Sequence, residues 1–299
     1  MEIQSLSVVV PTHGCINQCK FCVSRMHREE YENIIGRLIT EKENKSDRYL
    51  LQYMNRLAFA RDNGCNTAML TGSGEPQQNM PFLRFFGEIN EKIYRPFRNI
   101  EIQTTGARFN REMLAEISDK VGVTTVSISV SCLTNDSVNS EIINNGHTPI
   151  HLRNLCEDIK SFGMNLRLSL NVTKHLVEDA NPSYERVFDI CRDYGADQVT
   201  FRKMFVNDKE TPQGIWIREN ELDHTEQWFE GLNQYICDNG HYLNELEYGC
   251  SRYSVKEMST VVDTDCMSKE KGKKVLKYLI LRPNCKLYTQ WDDKGSLLF

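Results

Sequence analysis

The sequence lacks a long apolar run, and this absence bears first on membranes. No stretch reaches the roughly 18 apolar residues that a bilayer-spanning helix needs. The first residues, Met1-Glu-Ile-Gln, form neither the basic nor the apolar segment of a signal peptide. We therefore expect a cytoplasmic protein without membrane contact.

An excess of positive charge is also missing. The formal net charge is -5 at pH 7, which argues against broad binding to a nucleic-acid backbone. One local basic run is present, and such runs are typical of a solvated surface; it consists of Lys269, Lys271, Lys273, Lys274 and Lys277. Nucleic acid or peptide binding is therefore not indicated, but it stays open as an alternative.

A regular alternation of strands and helices is present instead. Apolar runs predict six strands, at residues 5–11, 67–71, 100–106, 124–130, 166–172 and 198–204. Helical spacing predicts the helices between them, at residues 47–63, 81–93, 111–118, 151–162 and 184–194. This order implies right-handed βαβ units and a parallel sheet. Six units are too few for a closed eight-stranded barrel, so the predicted fold is a partial (β/α)6 TIM-like barrel of the α/β class.

A second segment follows the barrel. The alternation ends near residues 207–214, so we predict a barrel domain over residues 1–215. Residues 216–299 form a C-terminal extension that packs on the barrel or closes it. The extension is predicted to contain a helix over residues 221–238 and a β-hairpin that turns at Pro283-Asn284.

A compact cysteine motif directly follows the first predicted strand. Cys15, Cys19 and Cys22 have C-x3-C-x2-C spacing, which is expected only about 0.015 times by chance in a chain with this cysteine content. Three thiolates in this spacing can bind three irons of a cubane cluster and leave the fourth iron open to a small molecule. A structural zinc site, with His13 or His27 as a further ligand, is the alternative.

These residues resemble the radical S-adenosylmethionine (SAM) superfamily. The motif C-x3-C-x-aromatic-C is matched by Cys15, Cys19 and Cys22, with Phe21 as the aromatic residue. The resemblance implies that the three cysteines bind a [4Fe-4S] cluster whose open iron binds SAM. It also implies reductive cleavage of SAM to a 5′-deoxyadenosyl radical that abstracts a hydrogen atom from a substrate.

A glycine-rich turn ends the second predicted strand. It reads Gly72-Ser73-Gly74-Glu75-Pro76, and glycines allow backbone to approach a ligand closely. The turn resembles the Gly-Gly-Glu-Pro region that contacts the SAM amino group in the family, with a Ser inserted. The resemblance implies that these five residues bind SAM.

Polar residues on later strands are further candidates for SAM binding. The resemblance implies contacts to the SAM carboxylate or ribose from Ser129, Arg167, Ser169 and Asn171. The last three share one strand face because they are two residues apart. Arg202 follows on the sixth strand as a cation for the carboxylate of SAM or of the substrate.

The substrate is not identified by any motif. We expect a small molecule or nucleotide, and a reductant that resembles flavodoxin or ferredoxin. A peptide- or RNA-modifying radical SAM enzyme is one alternative, and a non-catalytic iron-sulfur or zinc protein is another. The extension also contains three cysteines that could bind a second iron-sulfur cluster, Cys250, Cys266 and Cys285.

Overall fold

The computed structural model describes residues 2–27, 46–179, 183–206, 210–246, 250–264, 275–291 and 293–298. The strands are β1 (Glu2–Val9), β2 (Thr67–Thr71), β3 (Asn99–Thr104), β4 (Thr125–Val130), β5 (Asn165–Val172), β6 (Gln198–Lys203), β7 (Gly240–Glu245), β8 (Ser251–Val255), β9 (Met258–Asp263), β10 (Val275–Leu281) and β11 (Leu287–Tyr288). The helices are α1 (Val23–Met26), α2 (Asp47–Asp62), α3 (Met80–Asn90), α4 (Arg111–Glu116), α5 (Asp136–Asn144), α6 (Leu152–Ser161), α7 (Lys174–Asp179), α8 (Tyr184–Asp193), α9 (Pro212–Asn220) and α10 (Thr225–Asn239). No helix in these ranges has the length and apolar character that would let it cross a bilayer.

One mixed sheet contains all of these strands, in the order β11-β10-β1-β2-β3-β4-β5-β6-β9-β8-β7. The six predicted strands, β1 to β6, pair in parallel with their sequence neighbours. The described residues show no backbone pairing between β9 and β10, so the sheet stays open. The predicted α/β partial barrel is therefore confirmed.

The C-terminal extension continues the same sheet. Strand β9 pairs in parallel with β6, and β10 pairs in parallel with β1, so eight parallel strands stand side by side. The predicted hairpin is present, since β10 and β11 are antiparallel. Strands β7 and β8 were not predicted; they form an antiparallel meander with β9. Four lysines of the basic run lie outside the described residues, in 265–274.

The sheet has one apolar and one polar face. Outward side chains such as Leu6 and Ile102 belong to the same buried cluster as Tyr53 of α2 and Phe82 of α3. Residues of the opposite face include Ser127, which stands beside Arg167 in register. Parallel sheets are usually apolar on both faces, so the polar inner face is a departure from the usual pattern.

Local capping explains where several helices begin. Asn110 accepts a hydrogen bond from the backbone N–H of Met113 at 2.8 Å, as expected for the cap of α4. Helix α9 lies where the sequence pattern predicts a break. The Thr211 hydroxyl accepts from the N–H of Gly214 at 3.1 Å, and Pro212 occupies the first turn, where a missing N–H costs nothing.

Candidate functional site

The loop that carries the three cysteines, residues 10–22, leaves the carboxyl end of β1 and lies on α5. The N–H of Gln18 donates to the carbonyl of Ile143 at 3.0 Å, and the N–H of Lys20 donates to that of Ile142 at 3.0 Å. Ligand sites of parallel barrels occupy this end of the sheet. The loop is therefore at the end where the sequence predicts a cofactor.

Cys15, Cys19 and Cys22 are free, half-buried thiols. Burial raises the pKa of each one, and that of Cys19 lies well above its ordinary value. The nearby Cys22 and Glu75 raise the pKa of Cys15 and Cys19 further, whereas the Arg25 guanidinium and backbone N–H groups lower that of Cys22. A bound cation reverses this preference because it deprotonates a coordinating thiol outright.

Cys19 interacts electrostatically with both Cys15 and Cys22, so the three thiols lie near one another. Across the described ranges, no group of three or more His, Cys, Asp or Glu side chains is arranged to hold a single metal ion. A cubane cluster instead takes one thiolate at each of three iron corners.

Glu75 joins the cysteine loop to the ends of β2 and β3. Its carboxylate is 6% exposed and accepts from Asn17 Nδ2 at 2.9 Å, Gln77 Nε2 at 3.0 Å and the N–H of Thr105 at 3.1 Å. The Thr104 hydroxyl donates to the same carboxylate. Both carboxylate oxygens therefore have protein donors, and a contact between Glu75 and SAM stays a prediction.

Two amide side chains after Glu75 hold the cysteine loop from the other side. Gln78 Oε1 accepts from the N–H of Ile16 at 3.1 Å, and Gln78 Nε2 donates to the carbonyl of Gly14 at 3.3 Å. Asn79 Nδ2 donates to the carbonyl of Pro11 at 2.7 Å. Neither residue was predicted from the sequence, although their position directly after the glycine-rich turn was a signal.

The glycines of the turn allow the cysteine loop to approach. A Cβ on Gly74 would lie 2.3 Å from Thr12 Oγ1 and 2.8 Å from the Gly14 carbonyl oxygen. A Cβ on Gly72 would lie 2.9 Å from the Val10 carbonyl oxygen. The backbone of the two glycines therefore closely approaches the cysteine loop of the protein itself. A close approach of this backbone to a ligand stays a prediction.

The other two residues of the turn have different surroundings. Ser73 is half-buried between the glycines. Pro76 is buried at the start of a 3-10 turn, Pro76–Asn79, for which Glu75 is the cap. This short turn sets the positions of Gln77, Gln78 and Asn79, which contact Glu75 and the cysteine loop.

Most of the strand candidates lie together on the inner face near the carboxyl ends of the strands. Ser129 is in register with Ser169, and Asn171 is in register with Arg202. Asn171 Nδ2 donates to the Ser131 hydroxyl at 3.1 Å. These side chains therefore lie close together, and a contact between them and SAM stays a prediction.

Arg167 lies nearer the amino end of the barrel and is not brought to this group. Its guanidinium pairs with the Glu101 carboxylate at 2.5 Å and donates through Nε to Gln198 Oε1 at 2.7 Å. The shared face with Ser169 and Asn171 was read from the period of two. The period of two shows which face of the strand a residue lies on. It does not show with which neighbouring residues the long side chain of Arg167 forms hydrogen bonds.

An aromatic contact brings the extension onto the cysteine motif. The ring of Trp216, on α9, packs 6.4 Å from that of Phe21 and stacks on His175 at 6.1 Å. Helix α9 also contacts α1, which begins directly after Cys22. No local sequence pattern indicates that Trp216 packs against the cysteine motif, because the contact joins segments about 195 residues apart.

Two of the three candidate cysteines of the extension, Cys250 and Cys285, lie in the described part of the chain. Cys285 is buried, its Sγ lies 3.9 Å from the Tyr49 carbonyl oxygen, and burial raises its pKa to about 11. Cys250 is half-buried just before β8, and Cys266 lies outside the described residues. A second cluster therefore stays an untested prediction.

The donor set around the cysteine loop fits a thiolate-bound cluster with a polar ligand. Three half-buried thiols share one loop. The buried Thr12 hydroxyl lies at the base of that loop, and no hydrogen-bond partner for it is found in the described part of the chain. Buried hydroxyls are normally paired, so Thr12 is available to a bound group.

Solved structures of several radical SAM proteins have the same fold. Streptococcus suis SuiB bound to S-adenosylmethionine is 14% identical, with a TM-score of 0.57 over 96% of this chain and 60% of that chain. The protein anSMEcpe with bound AdoMet is 12% identical, with a TM-score of 0.62 over 98% of this chain and 75% of that chain. Coproporphyrinogen III oxidase (HemN) from Escherichia coli is 12% identical, with a TM-score of 0.50 over 81% of this chain and 54% of that chain.

These likenesses concern the fold, and the chain spans about 60% of the length of SuiB. No curated protein sequence matches the chain. A family model does match: the model of the radical SAM superfamily covers residues 9–181, which include the cysteine loop, the glycine-rich turn and strands β2 to β5. Because this match covers more than half of the 299 residues, the chain belongs to the radical SAM superfamily.

Proposed function

We propose that the chain is a radical SAM enzyme in which Cys15, Cys19 and Cys22 hold a [4Fe-4S] cluster. The observation that supports this proposal most directly is the link between the two motifs. Glu75, Gln78 and Asn79 hydrogen-bond to the loop that carries the cysteines. Segments that are far apart in the sequence thus form one site.

When bound and reduced, the cluster supplies the electron that cleaves SAM to methionine and a 5′-deoxyadenosyl radical, which abstracts a hydrogen atom from the substrate. The residues of the protein bind and orient SAM and shield the site from water. We propose that Gly72, Ser73, Gly74, Glu75 and Pro76 position the SAM amino group, the loop backbone supplying carbonyl acceptors. The Thr12 hydroxyl, whose oxygen is buried beside Gly74, is a further acceptor for it.

The strand residues at the carboxyl end complete the proposed SAM site. Ser129, Ser169 and Asn171 are hydroxyl and amide groups on the inner face, suited to a ribose or carboxylate. Phe21 and Trp216 cover the motif with apolar rings, which limits water near a reactive radical. Arg167 is not assigned to SAM because Glu101 and Gln198 already hold its guanidinium.

The proposed substrate is a small molecule or nucleotide. A peptide is the second candidate because two proteins with this fold were solved with peptides, SuiB with precursor peptide SuiA and anSMEcpe with Cp18Cys peptide. RNA modification, a reductant that resembles flavodoxin or ferredoxin, and a cytoplasmic location stay predictions of the sequence.

Anaerobic reconstitution with iron and sulfide, reduction, and incubation with SAM test the proposal. We expect 5′-deoxyadenosine from the wild type and from Cys237→Ala, whose thiol is exposed on α10, and none from Cys19→Ala. A reduced, iron-loaded wild type that cleaves no SAM contradicts the enzyme and favours a non-catalytic iron-sulfur or zinc protein. Product from Cys19→Ala contradicts the ligand assignment alone.

The substrate class needs a separate measurement. Reconstituted enzyme is incubated with deuterated extracts, divided into small-molecule, peptide and RNA fractions. We expect deuterium to appear in 5′-deoxyadenosine with the small-molecule fraction. Transfer from the peptide or RNA fraction alone selects the alternative.

A further inference from the structure

A cavity of about 820 Å³ occupies the interior of the barrel, away from the residues so far assigned. Its wall consists of inner-face side chains of the parallel strands, including Ser5, Met69, Gln103, Thr125 and Gln198. Small-molecule sites typically measure about 300 to 1,000 Å³. The cavity therefore has the size for a metabolite or a nucleotide.

Positive charge predominates in this cavity, although the protein as a whole is acidic. The charged residues that line it are Glu101, Arg167, Arg202, Arg252, Asp263 and Lys277. Four are cations and two are carboxylates, so the formal charge of the wall is +2, against -5 for the chain. Clefts lined by one sign of charge concentrate ligands of the opposite sign.

Both carboxylates of the wall already have cationic partners. Glu101 pairs with Arg167 at 2.5 Å, and Asp263 pairs with Lys277 at 3.5 Å. The second pair joins β9 to β10, the two edge strands of the parallel part of the sheet. The surplus positive charge of the cavity therefore belongs to Arg202 and Arg252.

Arg202 is the more enclosed of these two cations. Its Nε is buried, and no hydrogen-bond partner for it is found among the residues that the structure describes. Asp263 stands beside Arg202 in register on β9, but the carboxylate of Asp263 forms its ion pair with Lys277. Arg252, in contrast, donates to the Asn244 side chain at 2.8 Å in an exposed position. A buried N–H without a hydrogen-bond partner is costly, and an anionic ligand that accepts from Arg202 Nε would remove this cost.

The cavity also extends toward the cysteine end of the barrel. Asn165, at the start of β5, lines it at the amino end. Arg202 lines it too and is in register with Asn171, six residues further along β5. Six residues of strand span roughly 20 Å. Arg202 therefore stands nearer than Asn165 to the carboxyl ends of the strands, where the SAM site is proposed.

We propose that this cavity is the substrate site and that Arg202 binds an anionic group of the substrate, a carboxylate or a phosphate. The substrate is then an anionic metabolite of up to nucleotide size. Arg252 adds positive charge at the rim, and the buried Gln4 Oε1, without a partner within the described ranges, accepts a hydrogen bond from the ligand. The chemistry performed on this ligand rests on the proposed function, whereas the binding does not.

Binding of matched probes to the reconstituted protein tests the proposal. Calorimetry with saturating SAM compares uridine 5′-monophosphate with uridine, and glutarate with glutaramide, so that phosphate and carboxylate are examined separately. A charge-assisted hydrogen bond is worth about 1.5 to 3 kcal/mol, so in at least one pair we expect the anion to bind about tenfold tighter or more. Arg202→Gln should abolish this preference, and Arg202→Lys should retain part of it.

Arg186→Gln is the matched control because Arg186 is exposed on α8, outside the barrel; its binding should equal that of the wild type. Circular dichroism checks that Arg202→Gln folds. If Arg202→Gln does not fold, Arg252→Gln is used to test the proposal in its place. We then expect the anion to bind about threefold more weakly, because a charge at the rim of the cavity contributes less to binding.

The proposal is overturned if the anion and its neutral analogue bind equally tightly in both pairs. It is also overturned if the anion binds to Arg202→Gln, or to Arg252→Gln where that variant is used, as tightly as to the wild type. Loss of probe binding when SAM is added also overturns it, because the anion then occupies the SAM carboxylate site. If a peptide binds more tightly than every anion, and equally tightly with a free carboxylate or an amide at its C-terminus, the proposal is overturned and a peptide is the occupant of the cavity. Anion binding at Arg202 without SAM cleavage contradicts the proposed function only, and SAM cleavage without anion preference contradicts this inference only.

Discussion

Asn17 Nδ2 lies 2.9 Å from Glu75 Oε1, and the two residues are 58 positions apart in the chain. Asn17 stands between Cys15 and Cys19, and its amide also donates to the Thr105 hydroxyl at 2.8 Å. Arg25 donates to the Asn17 carbonyl at 2.9 Å. One side chain therefore fixes the cysteine loop to the ends of β2 and β3.

Replacement of Asn17 by Asp should weaken cluster binding. A second carboxylate at this place would repel Glu75 and could not donate to it. Outer hydrogen-bond partners of metal ligands are typically worth 10- to 100-fold in metal affinity or activity, so we expect a loss of about tenfold or more. Iron retained after dialysis against a chelator measures it. Asn154→Asp, exposed on α6, is the control, and equal retention in both variants would contradict a role for Asn17.

Gly74→Ala should damage the site more than Ser73→Ala. The new Cβ would meet Thr12 Oγ1 at 2.3 Å and the Gly14 carbonyl oxygen at 2.8 Å, so the cysteine loop has to shift. Overpacking of this kind costs about 1 to 3 kcal/mol. Urea unfolding and iron content measure the effect. At Ser73 a Cβ is already present, so similar losses in the two variants would contradict the steric explanation.

The ion pair between Glu101 and Arg167 should contribute to stability. The Glu101 side chain is 4% exposed and that of Arg167 26% exposed, so Glu101→Gln leaves a largely buried guanidinium with a weaker partner. We expect a loss of about 1.5 to 3 kcal/mol in the free energy of unfolding. The exposed pair Glu91–Arg98 is the control, and Glu91→Gln should cost at most about 1 kcal/mol. Urea unfolding compares them, and equal costs would refute the assignment.

Alkaline pH should destabilise the protein through buried thiols. Burial raises the pKa of Cys285 from 9.0 to about 11. Between these values the folded state keeps a proton that the unfolded state loses. The stabilisation is therefore complete below pH 9 and is lost as the pH rises to 11, at up to about 1.4 kcal/mol per pH unit. Urea unfolding at pH 8 to 11 should show a smaller slope for Cys285→Ala than for Cys237→Ala. Equal slopes would contradict the burial effect.

Iron content should distinguish one cluster from two. A single cubane gives about four iron atoms per reconstituted chain, and Cys285→Ala should leave this number unchanged because Cys285 packs against Tyr49. About seven or eight iron atoms, reduced by this substitution, would instead assign Cys285 to a second cluster. Iron and sulfide assays on the two proteins decide the matter.

Local sequence patterns were enough to predict the barrel and the position of the cysteine motif. Thr67–Thr71 forms the predicted strand, because apolar runs bounded by polar turns reflect local propensity and burial. Helix α9 was missed because Thr211 and Pro212 look like a loop signal, although together they also cap a helix. The same residue types occur at the start of a helix and in a loop, so the packing of the surrounding residues determines which of the two forms.

Contacts between segments distant in the sequence could not be predicted. Asn17 and Glu75 are neighbours only because β1 and β2 are adjacent in the sheet. The same holds for Phe21 and Trp216, which meet only when the extension folds onto the barrel. Residue type predicted that Glu75 has a function, but its partners depend on tertiary structure.

The extension has a consequence for how the chain can be divided. Strands β9 and β10 cover the two outer edges of the β1 to β6 sheet, and both come from the extension. A protein cut after residue 215 would expose both edges at once, and uncovered edge strands promote intermolecular pairing. We therefore expect such a truncated barrel to aggregate. The predicted boundary at 215 would then mark the end of the strand-helix alternation in the sequence, but not a place where the barrel can be separated from the extension.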